Sequence, residues 1–176
     1  MITIISGTNR KESNSLKVAK SYQILLKYKG LESQILDLSK LPINFVQNMY
    51  GEHSEEVKEL IDKKIAKVSN FVFVIPEYNG TYTGMVKLFL DGISPKNFNH
   101  KNTILVGVAS GRAGNIVGLE HFTTVLNHLK IEVLSNKMIL SGIENLINEN
   151  GEIIDRNCLE QIDIQLELMI KKFNLK

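Results

Sequence analysis

Phe71-Val72-Phe73-Val74-Ile75 runs directly into Pro76-Glu77-Tyr78-Asn79-Gly80-Thr81-Tyr82-Thr83-Gly84. A short, continuous apolar run bounded by turn formers reads as a strand buried on both faces, as in the middle of a parallel sheet. Pro76 ends it, because proline cannot donate to the ladder. Asn79-Gly80 then marks a tight turn where backbone can approach whatever lies beside it. A short helix over about 84–91 follows.

Working outward, β-rich runs alternate with stretches of helical period. Ile2 to Ser6 is a strand, followed by a polar loop and a helix whose Leu16, Ala19, Tyr22 and Leu26 share one face until Gly30. Ser33 to Leu38 is a second strand, and residues 39–53, with Pro42, Asn44, Asn48 and Gly51, read as a long connection. Ser54 caps a helix striped by Val57, Leu60, Ile61, Ile65 and Val68. Beyond the central unit, Thr103 to Ala109 is another buried strand and Leu119, Phe122, Leu126 and Leu129 mark its helix. A strand over 131–140 is interrupted at Ser135-Asn136, 148–151 is a turn cluster, and Leu159, Ile162, Leu166, Met169 and Phe173 give a terminal helix. This alternation predicts one α/β domain over residues 1–176: a doubly wound, five-stranded parallel sheet with helices on both faces. Periodicity leaves flavodoxin-like and Rossmann-like strand orders both open.

Composition narrows the function classes. Apolar residues make up 43% of the 176 and charged residues 23%, a balance that excludes a disordered or collagen-like chain. Twenty-one Lys and Arg against nineteen Asp and Glu leave a charge of +2, too small to point to nucleic acid or a membrane as partner. The single cysteine, Cys158, excludes an internal disulfide framework and a multi-cysteine metal site. The opening residues resemble no signal peptide, and no apolar run approaches the ~20 residues of a membrane helix. The expectation is a soluble, cytoplasmic protein.

In a doubly wound sheet, ligands bind beyond the carboxyl ends of the strands. Three loops leave strands at that edge. Ser6-Gly7-Thr8-Asn9-Arg10-Lys11-Glu12-Ser13-Asn14-Ser15 enters a helix carrying hydroxyls, amides and an Arg, the donors that hold a phosphate at a helix N-terminus. Its Ser-Asn-Ser would equally cap the helix with no ligand present. It lacks both the P-loop ending and the Gly-x-Gly-x-x-Gly fingerprint. The second loop, 76–84, offers two tyrosines with flat apolar faces. The third, Ser110-Gly111-Arg112-Ala113-Gly114-Asn115, has two glycines and an Arg. Together they describe a phosphate pocket beside a flat, backbone-lined slot, which suits a mononucleotide with a planar ring.

These loops resemble those of the NAD(P)H-dependent FMN reductases, a family that includes chromate, quinone and azo-compound reductases. The family's Gly-Ser-x-Arg-x-x-Ser-x-Asn appears here as Gly7 to Ser15, with Thr8 for Ser and Ser15 for Asn. Its Pro-Glu-Tyr-Asn stands intact at 76–79, followed by Gly80, Thr81, Gly84, Lys87 and Asp91. Thr83 stands where Pro is common, Leu88 where Asn is, Gly92 where Trp is, and Asn115 where a second Gly is frequent. The resemblance implies a flavodoxin-like fold with FMN as cofactor and NADPH or NADH as co-substrate. Ser6, Thr8, Arg10, Ser13, Asn14 and Ser15 would hold the phosphate. Pro76, Glu77, Tyr78, Asn79 and Gly80, with Ser110, Gly111, Arg112 and Gly114, would flank the isoalloxazine ring.

The implied activity is hydride transfer from the nicotinamide through FMN to a small acceptor: a quinone, azo compound, metal oxyanion or free flavin. Such a cycle needs orientation more than a protein acid or base, so no catalytic side chain is expected. Glu77 could donate a proton, although a structural role suits it better. The alternative is a flavodoxin-type electron carrier with no substrate of its own; such carriers are strongly acidic, unlike this chain. His121 and His128 share a helix face without a carboxylate or thiol partner, so no metal site is expected. The family resemblance further implies a homodimer or homotetramer.

Overall fold

A computed structural model describes residues 1–176. Its centre is a parallel sheet in which β1 (Ile2–Ser6) lies between β2 (Ser33–Asp37) and β3 (Asn70–Pro76), with β4 (Asn102–Ala109) beyond β3. Two short strands, β5 (Glu132–Val133) and β6 (Met138–Ser141), share the outer edge of β4. The order β2-β1-β3-β4-β5 is the flavodoxin-like one. The chain reverses its winding direction between β1 and β3, and the ends of those strands open the crevice where such folds take ligands.

Alternation along the central strands divides the core. Phe71, Phe73 and Ile75 of β3 join Ile5 and Leu105 on one face, packed against α3 (Glu55–Ile61), α4 (Gly84–Asp91) and α5 (Ile116–His128). Val72 and Val74 join Ile4, Ile104 and Val106 on the other, under α1 (Asn14–Tyr28) and α6 (Arg156–Phe173). Because both faces are covered, β3 is buried from end to end, as its unbroken apolar sequence requires.

Two features depart from the expected elements, and a third, the break in the last strand, falls where the sequence placed it. The connection at 39–53 contains a short helix, α2 (Asn44–Gln47), whose Phe45 is fully buried. Its ring stacks between Phe89, 6.0 Å away, and His53, 5.3 Å away. His53 Nε2 lies 2.6 Å from the Gly92 carbonyl oxygen and pins the segment to the end of α4. A Cβ at Gly92 would stand 2.7 Å from Phe45 Cζ, so the absence of a side chain at 92 makes room for the ring.

The helix expected over 57–68 leaves α geometry after Ile61 for a π turn over residues 62–66. Carbonyls at its end are met by Lys101, whose buried ammonium donates to Ile65 O at 2.6 Å, Ala66 O at 2.8 Å, and Val68 O. Burial lowers the pKa of that ammonium.

The strand expected over 131–140 breaks at the Ser135-Asn136 interruption, into β5 and β6. Between β5 and β6 the chain leaves the ladder, and Gln165 of α6 fills the gap, donating to Leu105 O at 3.1 Å and Asn136 O at 3.0 Å. The same side chain accepts from Tyr22 Oη at 2.7 Å, so both buried amide ends are satisfied.

Candidate functional site

β1 ends at Ser6, and the Gly7 N–H donates to Val74 O at 2.9 Å across the switch point. Thr83, standing at the family's proline position, donates its hydroxyl to Gly7 O at 2.6 Å and accepts from Val86 N, which caps α4. A Cβ on Gly7 would lie 2.7 Å from Ile75 Cδ1, 2.8 Å from Val86 Cγ2 and 3.1 Å from Val74 O. A Gly7→Ala substitution therefore costs roughly 1–3 kcal/mol of stability by overpacking, readable in urea denaturation. Wild-type stability would show that the loop yields without loss.

The three loops are tied to one another. Thr8 Oγ1 and Tyr78 Oη are 3.0 Å apart, and the Arg10 N–H donates to Thr8 Oγ1 at 3.2 Å. Glu77 donates its N–H to Val108 O at 2.9 Å, and its Oε2 accepts from the Asn115 N–H at 3.0 Å. Asn115, in the left-handed region at φ 70°, donates its amide to Ile75 O at 3.0 Å. Glu77 thus braces the second loop against the third.

Between these loops lies a cleft of about 450 Å³, within the range of small-molecule sites. Arg10, Ser13, Asn14 and Ser15 form one wall, and Pro76, Glu77, Tyr78 and Ser110 form another. Ser6 and Thr8 are buried and do not line it. Asn79, Gly80, Gly111 and Arg112 are exposed outside its walls. Gly114 is buried at φ 57°, and a Cβ there would stand 2.2 Å from Ile139 Cγ2 of β6. The close approach that needs a glycine at 114 is to the neighbouring strand.

Ser13 caps α1 by accepting from Leu16 N at 3.2 Å. Ser15, in the first turn, is 1% exposed, and its hydroxyl has no partner. A buried hydroxyl left unpaired costs roughly 1–3 kcal/mol. An anion at this helix end would supply the acceptor while gaining free N–H donors and the dipole. The donors therefore fit the phosphate of FMN, and the tethered loops leave a slot beside it.

The cleft also contains Ile143 and Glu144, just past β6, which no local pattern in the sequence singled out. Glu144 Oε1 accepts from Ser110 Oγ at 2.6 Å and Asn14 Nδ2 at 3.3 Å. The Ser110 hydroxyl, then its own backbone N–H, Asn14 and the charge of Lys17 hold the carboxyl below its usual pKa.

Other reactive groups lie apart. Burial, with help from Asp155, pushes the Cys158 thiol up to about 11, which keeps it protonated and inert. His121 Nδ1 is 3.1 Å from Thr81 Oγ1, whereas His128 borders a separate hollow of about 640 Å³ between α4 and α5.

The strand order, with a donor-rich loop at the opening of α1, is shared by a class of doubly wound α/β proteins that bind a mononucleotide at the β1/β3 switch point. The sequence profile of the NADPH-dependent FMN reductases matches residues 1–145, and the chain belongs to that family of FMN- and nicotinamide-dependent oxidoreductases. It is 29% identical over 154 residues to an NADPH azoreductase of Bacillus sp. (strain OY1-2), covering 86% of this chain and 82% of that one. It is 24% identical over 161 residues to a 2-hydroxy-1,4-benzoquinone reductase of Burkholderia sp., covering 89% and 86%. Among solved structures, the flavoenzyme NAD(P)H:(acceptor) oxidoreductase FerB of Paracoccus denitrificans superposes with a TM-score of 0.77 at 21% identity, over 97% of this chain and 94% of that one. The two-electron reduced flavodoxin of Megasphaera elsdenii reaches 0.59 at 12% identity, over 95% and 99%. These two likenesses concern the fold.

Proposed function

We propose that the protein oxidises NADPH or NADH and reduces a small organic acceptor, a quinone or azo compound foremost, with FMN seated between the three loops. The observation that carries this reading is the unpartnered, buried Ser15 hydroxyl on the cleft wall at the start of α1. The names of the Bacillus and Burkholderia relatives support the acceptor class.

Bound there, FMN supplies reversible two-electron transfer between nicotinamide and acceptor. Ser13, Asn14 and Ser15 present the phosphate donors, and Arg10 adds a planar charged fork at the cleft wall. Pro76, Glu77 and Tyr78 set the floor of the ring slot, held to the third loop by the Glu77–Asn115 bond. The backbone N–H groups of Asn79-Gly80 and Ser110-Gly111, at the cleft's rim, would stabilise charge on a ring edge that extends past the walls. No side chain is needed as acid or base, since positioning carries the rate.

The two substrates take turns in one slot. Association of two or four copies completes the reading: the hollow between α4 and α5 is lined by Leu90, Ile93, Val125 and Leu129, with Tyr50 86% exposed at its rim, a face suited to a second copy. No helix is long and apolar enough to cross a membrane, and the proposed setting is the cytoplasm.

A flavodoxin-type carrier is the second reading, favoured only by the fold likeness to the Megasphaera protein. Steady-state assays separate the two. Consumption of NADPH by the purified protein should depend on both added FMN and a benzoquinone. A protein that binds FMN but turns over nicotinamide only with a separate reductase present would be a carrier.

A further inference from the structure

Glu144 is an exposed carboxylate in a cleft that carries Arg10, Lys11 and the hydroxyls of α1 together with two further acids, Glu12 and Glu77, of which Glu77 is already engaged by the Asn115 N–H. One of its oxygens holds two groups at once: the amide of Asn14, in the first turn of α1, and the hydroxyl of Ser110, in the loop leaving β4. Those side chains stand on the two walls assigned to the phosphate and to the ring. The contact bridges residues 130 and 34 positions away along the chain, so it is a product of the fold and not of local turn geometry. Ile143 beside it is 1% exposed and anchors the segment, which keeps the carboxylate at the cleft.

From this arrangement we infer that Glu144 is an internal competitor for the cofactor site: its carboxylate occupies donors that FMN must claim, so that FMN is held as an exchangeable group. The inference rests on the FMN site proposed above. Two effects act in the same direction. An FMN group that takes the Ser110 proton, or the Asn14 N–H now given to Glu144, displaces the carboxylate, so those bonds gained are offset by bonds lost. A phosphate entering at the start of α1 also meets a like charge across the cleft, opposing the attraction of Arg10 and Lys11. Weakened retention suits an enzyme whose bound flavin can leave after reduction and act as a carried product.

The test uses the apoprotein and FMN, with binding read from quenching of flavin fluorescence. Glu144→Ala removes both the acceptor and the charge and is expected to tighten the FMN dissociation constant about tenfold. Glu144→Gln keeps the shape and one acceptor oxygen while removing the charge, and should tighten it by a smaller factor. Inorganic phosphate, which reaches only the cradle at α1, should compete with FMN at lower concentration in Glu144→Ala than in wild type. Melting curves establish that each variant is folded, and the amide variant keeps the test open should the alanine variant be unstable. FMN affinity that is unchanged or weaker in both folded variants overturns the competitor role. Absence of FMN binding in wild type and variants alike overturns the cofactor site itself, and the two failures are therefore distinct.

Discussion

In an Arg10→Ala variant the dissociation constant for FMN rises by between about tenfold and a hundredfold, the loss expected when one charge-assisted pair to a phosphate is removed. Arg10 lies on the cleft wall beside Ser13, Asn14 and Ser15, and its backbone is fixed by the bond from its N–H to Thr8 Oγ1. Thr8 is held in turn by Tyr78, so the guanidinium projects from a loop whose path is set at two points. Lysine at this position keeps the charge but not the fork, so Arg10→Lys should recover part of the affinity. Riboflavin, which lacks the phosphate, should bind wild type and Arg10→Ala alike. An FMN affinity within twofold of wild type would remove Arg10 from the phosphate site.

The largest effect on stability is expected at Gln165. Replacing it by Leu leaves Tyr22 Oη and Leu105 O, both in the interior beneath α1 and α6, and the more exposed Asn136 O without the partners they have. Each of the two abandoned buried groups costs roughly 1–3 kcal/mol, while water can reach Asn136 O, and the whole comes to roughly 2–5 kcal/mol. The loss would be read from urea denaturation at constant slope. A companion Tyr22→Phe change removes one of the three groups, so the double variant should recover part of the deficit. Stability within 1 kcal/mol of wild type would mean that water replaces the amide.

How far the molecule could be read from its sequence follows from where each determinant sits. β1, β3 and β4 were legible because apolar residues on both faces write a continuous run, and Ser13 and Ser54 announce helix starts through caps the structure confirms; the cap made by Thr83 was not read from the sequence. The strand order was not, because pairing of β1 with both β2 and β3 depends on contacts that periodicity does not encode. α2 was hidden for a similar reason: Phe45 is buried by a vacancy at Gly92, far along the chain. The break in the last strand was legible at Ser135-Asn136, but its filling by Gln165, 29 residues from the Asn136 carbonyl it satisfies, was not.

At the cleft, the density of donors in 6–15 and the intact Pro-Glu-Tyr-Asn marked two walls. Ser6 and Thr8 lie buried behind the wall: Thr8 bonds to Tyr78, whereas the Ser6 hydroxyl, like that of Ser15, has no partner, a difference that only packing reveals. Gly114 illustrates the same ambiguity, since a glycine needed for a neighbouring strand and one needed for a ligand look alike in sequence. Glu144 carries no motif; its place in the cleft is a tertiary fact.

The fit between the bare α-carbon at position 92 and the aromatic ring at 45 has an evolutionary corollary. Bulk at one position is exchanged for bulk at the other, so neither can drift freely. Among relatives, lineages that regain a large residue at the end of this helix are expected to have lost the aromatic anchor in the preceding connection. The pair would then mark the end of α4 and the segment preceding α3 as one packing unit.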